Sequence, residues 1–159
     1  MMVYIFVAIL LLALCFGGVL LRGAPYLPTM DNQARVALEL LELQPSQTVL
    51  ELGSGDGKVL VLAAQAGLQV VGIELNPLLV VVSWLRTRRY RKRVRIIWGD
   101  FWLVDWPACD GVFTFLLDRF MPKLDARMQK VQRPLASVVF QIPGRQPAAQ
   151  KSGVFLYQY

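Results

Sequence analysis

The chain has 159 residues, contains no histidine and has only two cysteines, Cys15 and Cys109. Without histidine, imidazole acid–base catalysis and most types of zinc site are excluded, and no metal centre is predicted. The two cysteines are too far apart for a C-x-x-C pair, and one pair does not make a disulfide framework. These absences favour a reducing compartment and leave proton transfer to carboxylates, tyrosines or water.

Charged residues are missing from the start of the chain, where Val3 to Leu21 is a run of nineteen uncharged, mostly apolar residues. A helix of about 20 such residues spans the hydrocarbon core of a bilayer. A cleaved signal peptide would need a basic n-region and a small-x-small cleavage site, and neither precedes Pro25. A buried core helix is a further alternative. Residues 1–22 are therefore predicted to be a single-pass transmembrane anchor, and Arg22 favours a main domain on the cytoplasmic side.

Basic residues are concentrated in one stretch of a chain whose formal net charge is +6. Seven of the seventeen Lys and Arg residues lie between Arg86 and Arg95. Cations at a helix C-terminus are an ordinary solvated feature. They are also typical of a surface that contacts anionic lipid or an acidic partner. A basic run alone does not indicate nucleic-acid binding, and none is expected.

The rest of the chain divides into two parts. Residues 23–47 are predicted to form a proline-containing linker and a capping helix, which Asp31 would cap and which would end near Leu43. Residues 48–159 alternate apolar strands with helices, which indicates an α/β Rossmann-like domain built on a parallel sheet. Because little sequence follows Gly144, the final strand pair is expected to be abbreviated. The predicted strands are Thr48–Leu52, Gln69–Glu74, Val94–Trp98, Gly111–Leu117, Ser137–Ile142 and a short last strand within Val154–Tyr159.

Chemically distinctive residues stand where the predicted strands end. The first strand ends in a glycine-rich turn, Gly53-Ser54-Gly55-Asp56-Gly57, which allows a ligand to approach the backbone closely. Glu74 ends the second strand at a spacing that suits two ribose hydroxyls. Asp100 ends the third strand, where it could accept from an exocyclic amine, and Phe101 beside it could cover an adenine face. In a parallel sheet these ends meet at one edge, where ligands bind.

Two nucleotide ligands compete for this predicted site. A dinucleotide site has the pattern G-x-G-x-x-G, whereas this chain has G-x-G-x-G with Lys58 in place of the last glycine. Four carboxylates are expected to face one pocket, and one like-charge pair at 4 Å costs about 4 kcal/mol at an effective dielectric constant near 20. Such a pocket disfavours a pyrophosphate and favours S-adenosylmethionine, which carries a sulfonium and an ammonium. NAD and a site without a ligand are the alternatives. The four carboxylates belong to Glu51, Asp56, Glu74 and Asp100.

Between Pro25 and Gly144 the sequence resembles the small class I methyltransferases related to the mitochondrial lysine methyltransferases of the ATP synthase c-ring protein and the adenine nucleotide translocase. The glycine-rich turn marks only the methyltransferase superfamily, whereas PYLPT together with ELNP is narrower and typical of this group. Four passages carry the resemblance: PYLPT (Pro25–Thr29), ELGSGDGK (Glu51–Lys58), GIELNPLLV (Gly72–Val80) and GDFW (Gly99–Trp102).

The resemblance implies S-adenosylmethionine as the cofactor. By this resemblance Glu51 and the glycines line its methionine part, Glu74 holds the ribose and Asp100 the adenine. Pro25, Tyr26 and Thr29 would fold over the pocket near the methyl group. The candidate cofactor-binding residues are Tyr26, Thr29, Glu51, Gly53, Ser54, Gly55, Asp56, Gly57, Glu74, Asn76, Asp100 and Phe101.

The resemblance also implies that the acceptor is a lysine side chain of a membrane protein, to which the anchor delivers the enzyme. The membrane would be the mitochondrial inner membrane in a eukaryote, and otherwise a prokaryotic membrane with the catalytic domain on its cytoplasmic side. Tyr26, as a wall of the acceptor channel, and Asp118, as a base, are the catalytic candidates. No N/D-P-P-Y/F motif follows the fourth strand, which disfavours a nucleic-acid base as acceptor. A lipid, a quinone or another small membrane molecule is an alternative acceptor, and a non-catalytic cofactor-binding assembly factor is an alternative function.

Overall fold

The structure is a computed structural model that describes residues 2, 4–6 and 29–159. Its helices in the last of these ranges are α1 (Asp31–Leu41), α2 (Lys58–Gln65), α3 (Pro77–Thr87) and α4 (Met121–Val131), with 3-10 turns at Arg88–Tyr90 and Asp118–Phe120. Its strands are β1 (Thr48–Leu52), β2 (Gln69–Glu74), β3 (Val94–Trp98), β4 (Gly111–Thr114), β5 (Leu135–Val138), β6 (Ala149–Lys151) and β7 (Val154–Tyr157).

The described strands form one sheet in the order β3-β2-β1-β4-β5-β7-β6. The first five strands of the chain are parallel to one another, and β7 runs antiparallel to both β5 and β6. The strand order reverses at β1, which lies between β2 and β4, and such a reversal opens a crevice at the carboxyl ends of the strands. The predicted α/β Rossmann-like sheet is confirmed.

The central strands are buried on both faces, which explains why their sequences are continuous apolar runs without alternation. One core lies between the sheet and α1 and α2, with Leu60 and Phe113 among its members. The other lies on the face covered by α4, with Leu50 and Met128 among its members. Leu52 pairs in register with Ile73 of β2 and Thr114 of β4, so the three strands end at the same level.

Two predicted strand boundaries are wrong. The fourth strand ends at Thr114 rather than Leu117, because only its residues up to Thr114 pair with neighbouring strands. The apolar Leu116 that follows is buried in the α4-side core as part of a loop. The fifth strand covers Leu135–Val138 rather than Ser137–Ile142, since Val139 adopts a left-handed backbone conformation with φ of 68°.

The final strand pair is present and both of its strands are short, in line with the expected abbreviated pair. β7 pairs with four residues of β5, and β6 pairs with β7 at the sheet edge. Asp31 does not cap α1, because Met30 occupies the N-cap position and Asp31 lies in the first turn. The helix ends at Leu41, and Glu42 closes it in a left-handed conformation with φ of 51°.

Among residues 2, 4–6 and 29–159, the structure has no helix that is both long and apolar enough to cross a membrane. The predicted anchor at residues 1–22 lies almost entirely outside these described residues. It therefore stays a prediction from the sequence.

Candidate functional site

The glycine-rich turn connects β1 to α2 at the carboxyl edge of the sheet. Gly53, Gly55 and Gly57 have φ values of 78°, 53° and 79°, the left-handed conformation that glycine adopts without steric cost. A Cβ at Gly53 would meet no atom within 4 Å, so the turn is open to a ligand on that side. A Cβ at Gly57 would lie 3.0 Å from Cα of Ser83, so this glycine lets α2 pack closely against α3.

The carboxylate of Glu74 ties the turn to the end of β2. Its Oε2 accepts a hydrogen bond from the N–H of Gly55, and its Oε1 accepts one from the N–H of Asn76, both at 2.8 Å. Burial raises the pKa of Glu74, although hydrogen bonds from backbone N–H groups oppose that shift. A carboxylate has about four acceptor sites, so two backbone bonds leave capacity for the hydroxyls of a ligand.

Glu51 is the most unusual group of the site, because it is a buried carboxyl whose Oε2 has no hydrogen-bond partner among the described residues. Burial raises the pKa of Glu51 well above its ordinary value, and the neighbouring charges of Glu74 and Asp56 raise it further. Buried polar groups are normally paired, and an unpaired one is costly. This carboxyl therefore suits a ligand that brings a positive charge.

The other two predicted carboxylates differ in their surroundings. Asp56 forms an ion pair with Arg86 of α3, and its Oδ1 accepts from the N–H of Lys58 at 3.2 Å. Arg86 thus partly neutralises the charge of Asp56, and a contact of Asp56 with a cofactor stays a prediction. Asp100 is half-buried at the end of β3, and its Oδ1 accepts from the N–H of Trp102 at 2.8 Å. Its second oxygen accepts no hydrogen bond within the described part of the chain and is available to a ligand.

Three further residues predicted to bind the cofactor, Ser54, Asn76 and Phe101, are in contact with other parts of the protein. The Ser54 hydroxyl is buried beside Gly72 of β2 and has no hydrogen-bond partner within residues 29–159. Asn76 caps α3, since its Oδ1 accepts from the N–H of Leu78 at 2.9 Å. Phe101 is only 9% exposed and belongs to the core on the α4 side of the sheet. Contacts of these three side chains with a cofactor stay predictions.

The segment before α1 reaches the glycine-rich turn through Lys58. The Nζ of Lys58 donates to the carbonyl of Thr29 at 3.2 Å and lies 2.5 Å from the carboxylate of Asp31. The buried Thr29 is thus held by the side chain of Lys58, the first residue of α2, and its contact with a cofactor stays a prediction. Tyr26 lies outside the described residues, so its position at the acceptor channel stays a prediction.

The end of β4 holds one predicted residue and one that sequence reasoning missed. Asp118 is exposed on the 3-10 turn after β4, where its Oδ1 accepts from the N–H of Arg119 at 2.7 Å. Thr114, the last residue of β4, is fully buried, and its hydroxyl has no partner among the residues described. The signal was available, because Thr114 is the one polar side chain in the apolar run from Gly111 to Leu117. Extending the strand to Leu117 concealed it.

Arg127 of α4 organises the loop after Asp100 and was also missed. Its guanidinium donates to the carbonyls of Phe101, Trp102 and Val104 at 2.8, 3.1 and 2.9 Å. It also stacks on the Trp106 ring, 4.2 Å from the ring centroid. No sequence pattern could indicate this contact, because Arg127 lies on a helix two elements farther along the chain.

Comparison with known proteins identifies the family. Residues 51–149 match the family model described as the ANTKMT methyltransferase domain. The chain belongs to this family. A Xenopus laevis lysine N-methyltransferase of the ATP synthase c-ring protein is 34% identical over 72% of this chain and 51% of its own length. An adenine nucleotide translocase lysine N-methyltransferase from Mus musculus is 35% identical over 79% of this chain and 57% of its own length. The chain thus spans about half the length of these relatives.

A solved structure supports the same placement for this ANTKMT-type domain. An RNA methyltransferase from Salinibacter ruber in complex with S-adenosyl-L-homocysteine superposes with a TM-score of 0.75 at 25% identity. The likeness covers 84% of this chain and 92% of that one. The chain is thus an S-adenosylmethionine-dependent methyltransferase domain, and S-adenosylmethionine is its cofactor. The open glycine at Gly53 and the unpaired carboxyl of Glu51 fit that cationic ligand.

Proposed function

We propose that this domain transfers a methyl group to the side-chain nitrogen of a lysine in a membrane protein. The observation that carries the cofactor half of the proposal is the buried Glu51 beside Glu74, whose Oε2 has no hydrogen-bond partner among the described residues. The lysine acceptor is supported by the two relatives, whose names specify lysines of the ATP synthase c-ring protein and of the adenine nucleotide translocase.

The chain's own residues would bind and orient the cofactor. Glu51 would face its positively charged methionine end, Glu74 its ribose and Asp100 its adenine. When bound, S-adenosylmethionine supplies an electrophilic methyl group on a sulfonium, and displacement needs alignment with the attacking nitrogen and exclusion of water. The glycine-rich turn, held by Glu74, and the segment held by Lys58 would provide that alignment and cover.

The acceptor lysine must lose a proton before its nitrogen can attack carbon. Its ordinary pKa is about 10.4, and a less polar environment lowers it. Since the chain has no histidine, a carboxylate, a tyrosine or water must take the proton. Asp118, on the turn after β4, and Tyr26 are the candidates. As the nitrogen–carbon bond forms, the carbon–sulfur bond breaks and S-adenosylhomocysteine leaves.

Membrane attachment is a further part of the proposal. The nineteen-residue uncharged run from Val3 to Leu21 is long enough to span a bilayer. Arg22 favours placing the domain on the cytoplasmic side of a prokaryotic membrane. In a eukaryote the membrane would be the mitochondrial inner membrane, as the resemblance to the mitochondrial lysine methyltransferases implies. An anchored enzyme would meet membrane-embedded acceptors without a separate targeting step.

The experiment is methyl transfer by the full chain in detergent or nanodiscs, with methyl-labelled S-adenosylmethionine and membranes from cells that lack the gene. The matched variant is Glu74→Ala, which should bind the cofactor poorly. Label in a protein band that yields methyl-lysine on digestion supports the proposal. The label must be absent with the variant.

Other distributions of label distinguish the alternatives. Label in the organic extract indicates a lipid or quinone acceptor, and label in RNA indicates the acceptor class named for the Salinibacter protein. Measurable S-adenosylhomocysteine binding without transfer to any fraction indicates a non-catalytic assembly factor. Each of these three results contradicts the lysine assignment.

A further inference from the structure

Helix α3 has the reverse of the usual amphipathic arrangement. Its fully buried residues are the small polar Ser83 and Thr87, at 0% and 3% exposure. A surface helix normally buries its apolar stripe and exposes its polar face. Here five of the seven large apolar side chains of the helix are exposed, with Trp84 at 65% and Val81 at 55%, while Leu79 and Val80 are half-buried. The exposed apolar residues of the helix are Leu78, Val81, Val82, Trp84 and Leu85.

The close approach of the glycine-rich turn explains the polar inner face. Ser83 lies so near Gly57 that a Cβ at position 57 would collide with it. The Thr87 hydroxyl has a hydrogen-bond partner within the same helix, since it donates to the carbonyl of Ser83 at 2.8 Å. Nothing in these contacts requires apolar residues on the outer face. A contiguous exposed apolar patch of this kind marks an interaction site.

The patch continues onto the edge strand β3 through Trp98, which is 66% exposed. The indole N–H of Trp98 donates to the carbonyl of Leu75 at 3.1 Å, immediately before α3. By strand alternation Trp98 shares a sheet face with Val94 and Ile96, which pack in the core on the α2 side. We call the exposed apolar residues of α3 together with Trp98 the α3 face.

Several basic residues follow α3 at its C-terminal end and have no carboxylate partner in the described part of the chain. The salt bridges within residues 29–159 do not include five exposed basic residues that follow α3. Two other members of the basic run are engaged, since Arg86 pairs with Asp56 and Arg93 donates to the carbonyl of Ala64. The five are Arg88, Arg89, Arg91, Lys92 and Arg95.

We propose that the α3 face docks onto the surface of an anionic lipid bilayer. Tryptophan, leucine and valine side chains of an amphipathic helix insert at the boundary between headgroups and acyl chains, and basic residues beside them contact acidic headgroups. A second copy of this chain would match the apolar residues but would bring the basic stretches of the two copies together. The bilayer satisfies both features at once.

The docked orientation determines where the cofactor-binding edge of the sheet lies relative to the bilayer. Helix α3 begins at Pro77, directly after Glu74 and its own cap Asn76. Docking along α3 therefore holds the cofactor-binding edge of the sheet near the bilayer, independently of the N-terminal segment and of the acceptor's identity. This surface is a lipid contact in its own right, and its test does not depend on methyl transfer.

The test uses the full chain in nanodiscs that contain bromine-labelled acyl chains, with either neutral lipid alone or added phosphatidylserine. Bromine quenches the fluorescence of tryptophans that enter the acyl boundary. The measured quantity is the difference in fluorescence quenching between the wild type and a Trp84→Phe, Trp98→Phe double variant. We expect quenching of the wild type in anionic nanodiscs and loss of most of it in the double variant. Raising salt from 0.1 M to 1 M shortens the Debye length from about 10 Å to about 3 Å and should reduce the quenching.

Charge variants complete the test. Arg88→Glu with Arg91→Glu should abolish the increase in fluorescence quenching that phosphatidylserine causes. Lys130→Glu with Lys151→Glu, an equal charge change outside the α3 face, should leave that increase in place. All variants should keep their S-adenosylhomocysteine affinity. Equal quenching in the wild type and the tryptophan double variant overturns the proposal. So does protection of the tryptophans from aqueous acrylamide that depends on protein concentration and not on lipid, since that result assigns the α3 face to a second copy.

Discussion

The side chain of Glu74 holds the backbone of Gly55 through a 2.8 Å hydrogen bond across nineteen residues of sequence. One carboxylate therefore both presents acceptor sites to a ligand and fixes the turn on which that ligand would lie. The second oxygen of Glu74 fixes the backbone at the start of α3, because it accepts a hydrogen bond from the N–H of Asn76. Binding and local structure depend on the same group, and a variant of Glu74 should affect both.

Replacing Glu74 with alanine should weaken S-adenosylhomocysteine binding by about 10- to 150-fold, because hydrogen bonds to a charged group contribute about 1.5–3 kcal/mol. Two buried N–H groups also lose their acceptor, so Tm should fall. Calorimetric titration and thermal unfolding measure the two effects. Glu39→Ala, at an exposed glutamate of α1, is the matched control and should change neither. Unchanged affinity in Glu74→Ala would remove this residue from the site.

The raised pKa of Glu51 predicts a specific pH dependence of stability. Because burial raises the folded-state pKa above the ordinary value of 4.5, the folded chain retains this proton more strongly than the unfolded chain. The stabilising contribution is complete below about pH 4.5 and is lost as pH rises through the folded-state pKa. Glu51→Gln should therefore gain stability relative to wild type as pH rises through that window. Thermal unfolding at a series of pH values measures it, and a difference that does not change with pH contradicts the assignment.

The same group couples cofactor binding to proton release. A positively charged ligand favours the ionised form of Glu51, so binding should expel a proton at pH values below the folded-state pKa. Calorimetry in two buffers of different ionisation enthalpy should give different apparent binding enthalpies for wild type. Glu51→Gln has no proton to release at this position and should show a smaller buffer dependence. A buffer dependence that is the same in both proteins places the titrating group elsewhere.

The parts of the fold that follow from short-range sequence pattern could be predicted. The glycine turn after β1 and the acids that end β2 and β3 are specified by strand length and local spacing, and the structure places them at one edge. Pro77 at the start of α3 is likewise a local signal, and it occupies the first helical position.

Contacts between residues distant in sequence could not be predicted. The pairing of Asp56 with Arg86 depends on how closely α2 packs on α3, which Gly57 and Ser83 together allow. The basic run gave no sign that one of its members neutralises a carboxylate of the site. Apolar residues of α3 were equally ambiguous, since hydrophobicity alone does not reveal which face of a helix meets the sheet.

Lys58→Met should release the segment that precedes α1. The methionine keeps the length and the apolar stem of lysine but cannot donate to the Thr29 carbonyl or pair with Asp31. We expect faster amide hydrogen exchange around residues 29–34 with little change in Tm, because the sheet is untouched. Lys151→Met, which removes another exposed ion pair, is the control. Unaltered exchange near Thr29 would show that Lys58 does not hold this segment.

The N-terminal run should resist extraction if it spans a bilayer. Placing two arginines in it, as Leu11→Arg with Leu12→Arg, costs about 2.5–3.5 kcal/mol each at a helix centre. The full-length variant should become extractable by alkaline carbonate, which removes surface-bound proteins, while wild type stays in the membrane pellet. Leu103→Arg, at an exposed loop leucine, should behave as wild type. Complete extraction of wild type contradicts the anchor.

Arg127 offers the clearest test of how a distant helix supports the site. Removing its guanidinium in Arg127→Leu leaves the carbonyls of Phe101, Trp102 and Val104 without this donor. We expect a loss of unfolding free energy on the order of 3 kcal/mol, measured by urea denaturation, together with weaker cofactor binding because the loop carrying Asp100 loses its support. Arg127→Lys should recover little of the lost unfolding free energy, since one ammonium group cannot donate to several acceptors in the way that the planar guanidinium does. Lys130→Leu, on the same helix but exposed, should retain wild-type stability. If Arg127→Leu loses stability but keeps its S-adenosylhomocysteine affinity, the loop contacts are structural only and Asp100 is positioned without them.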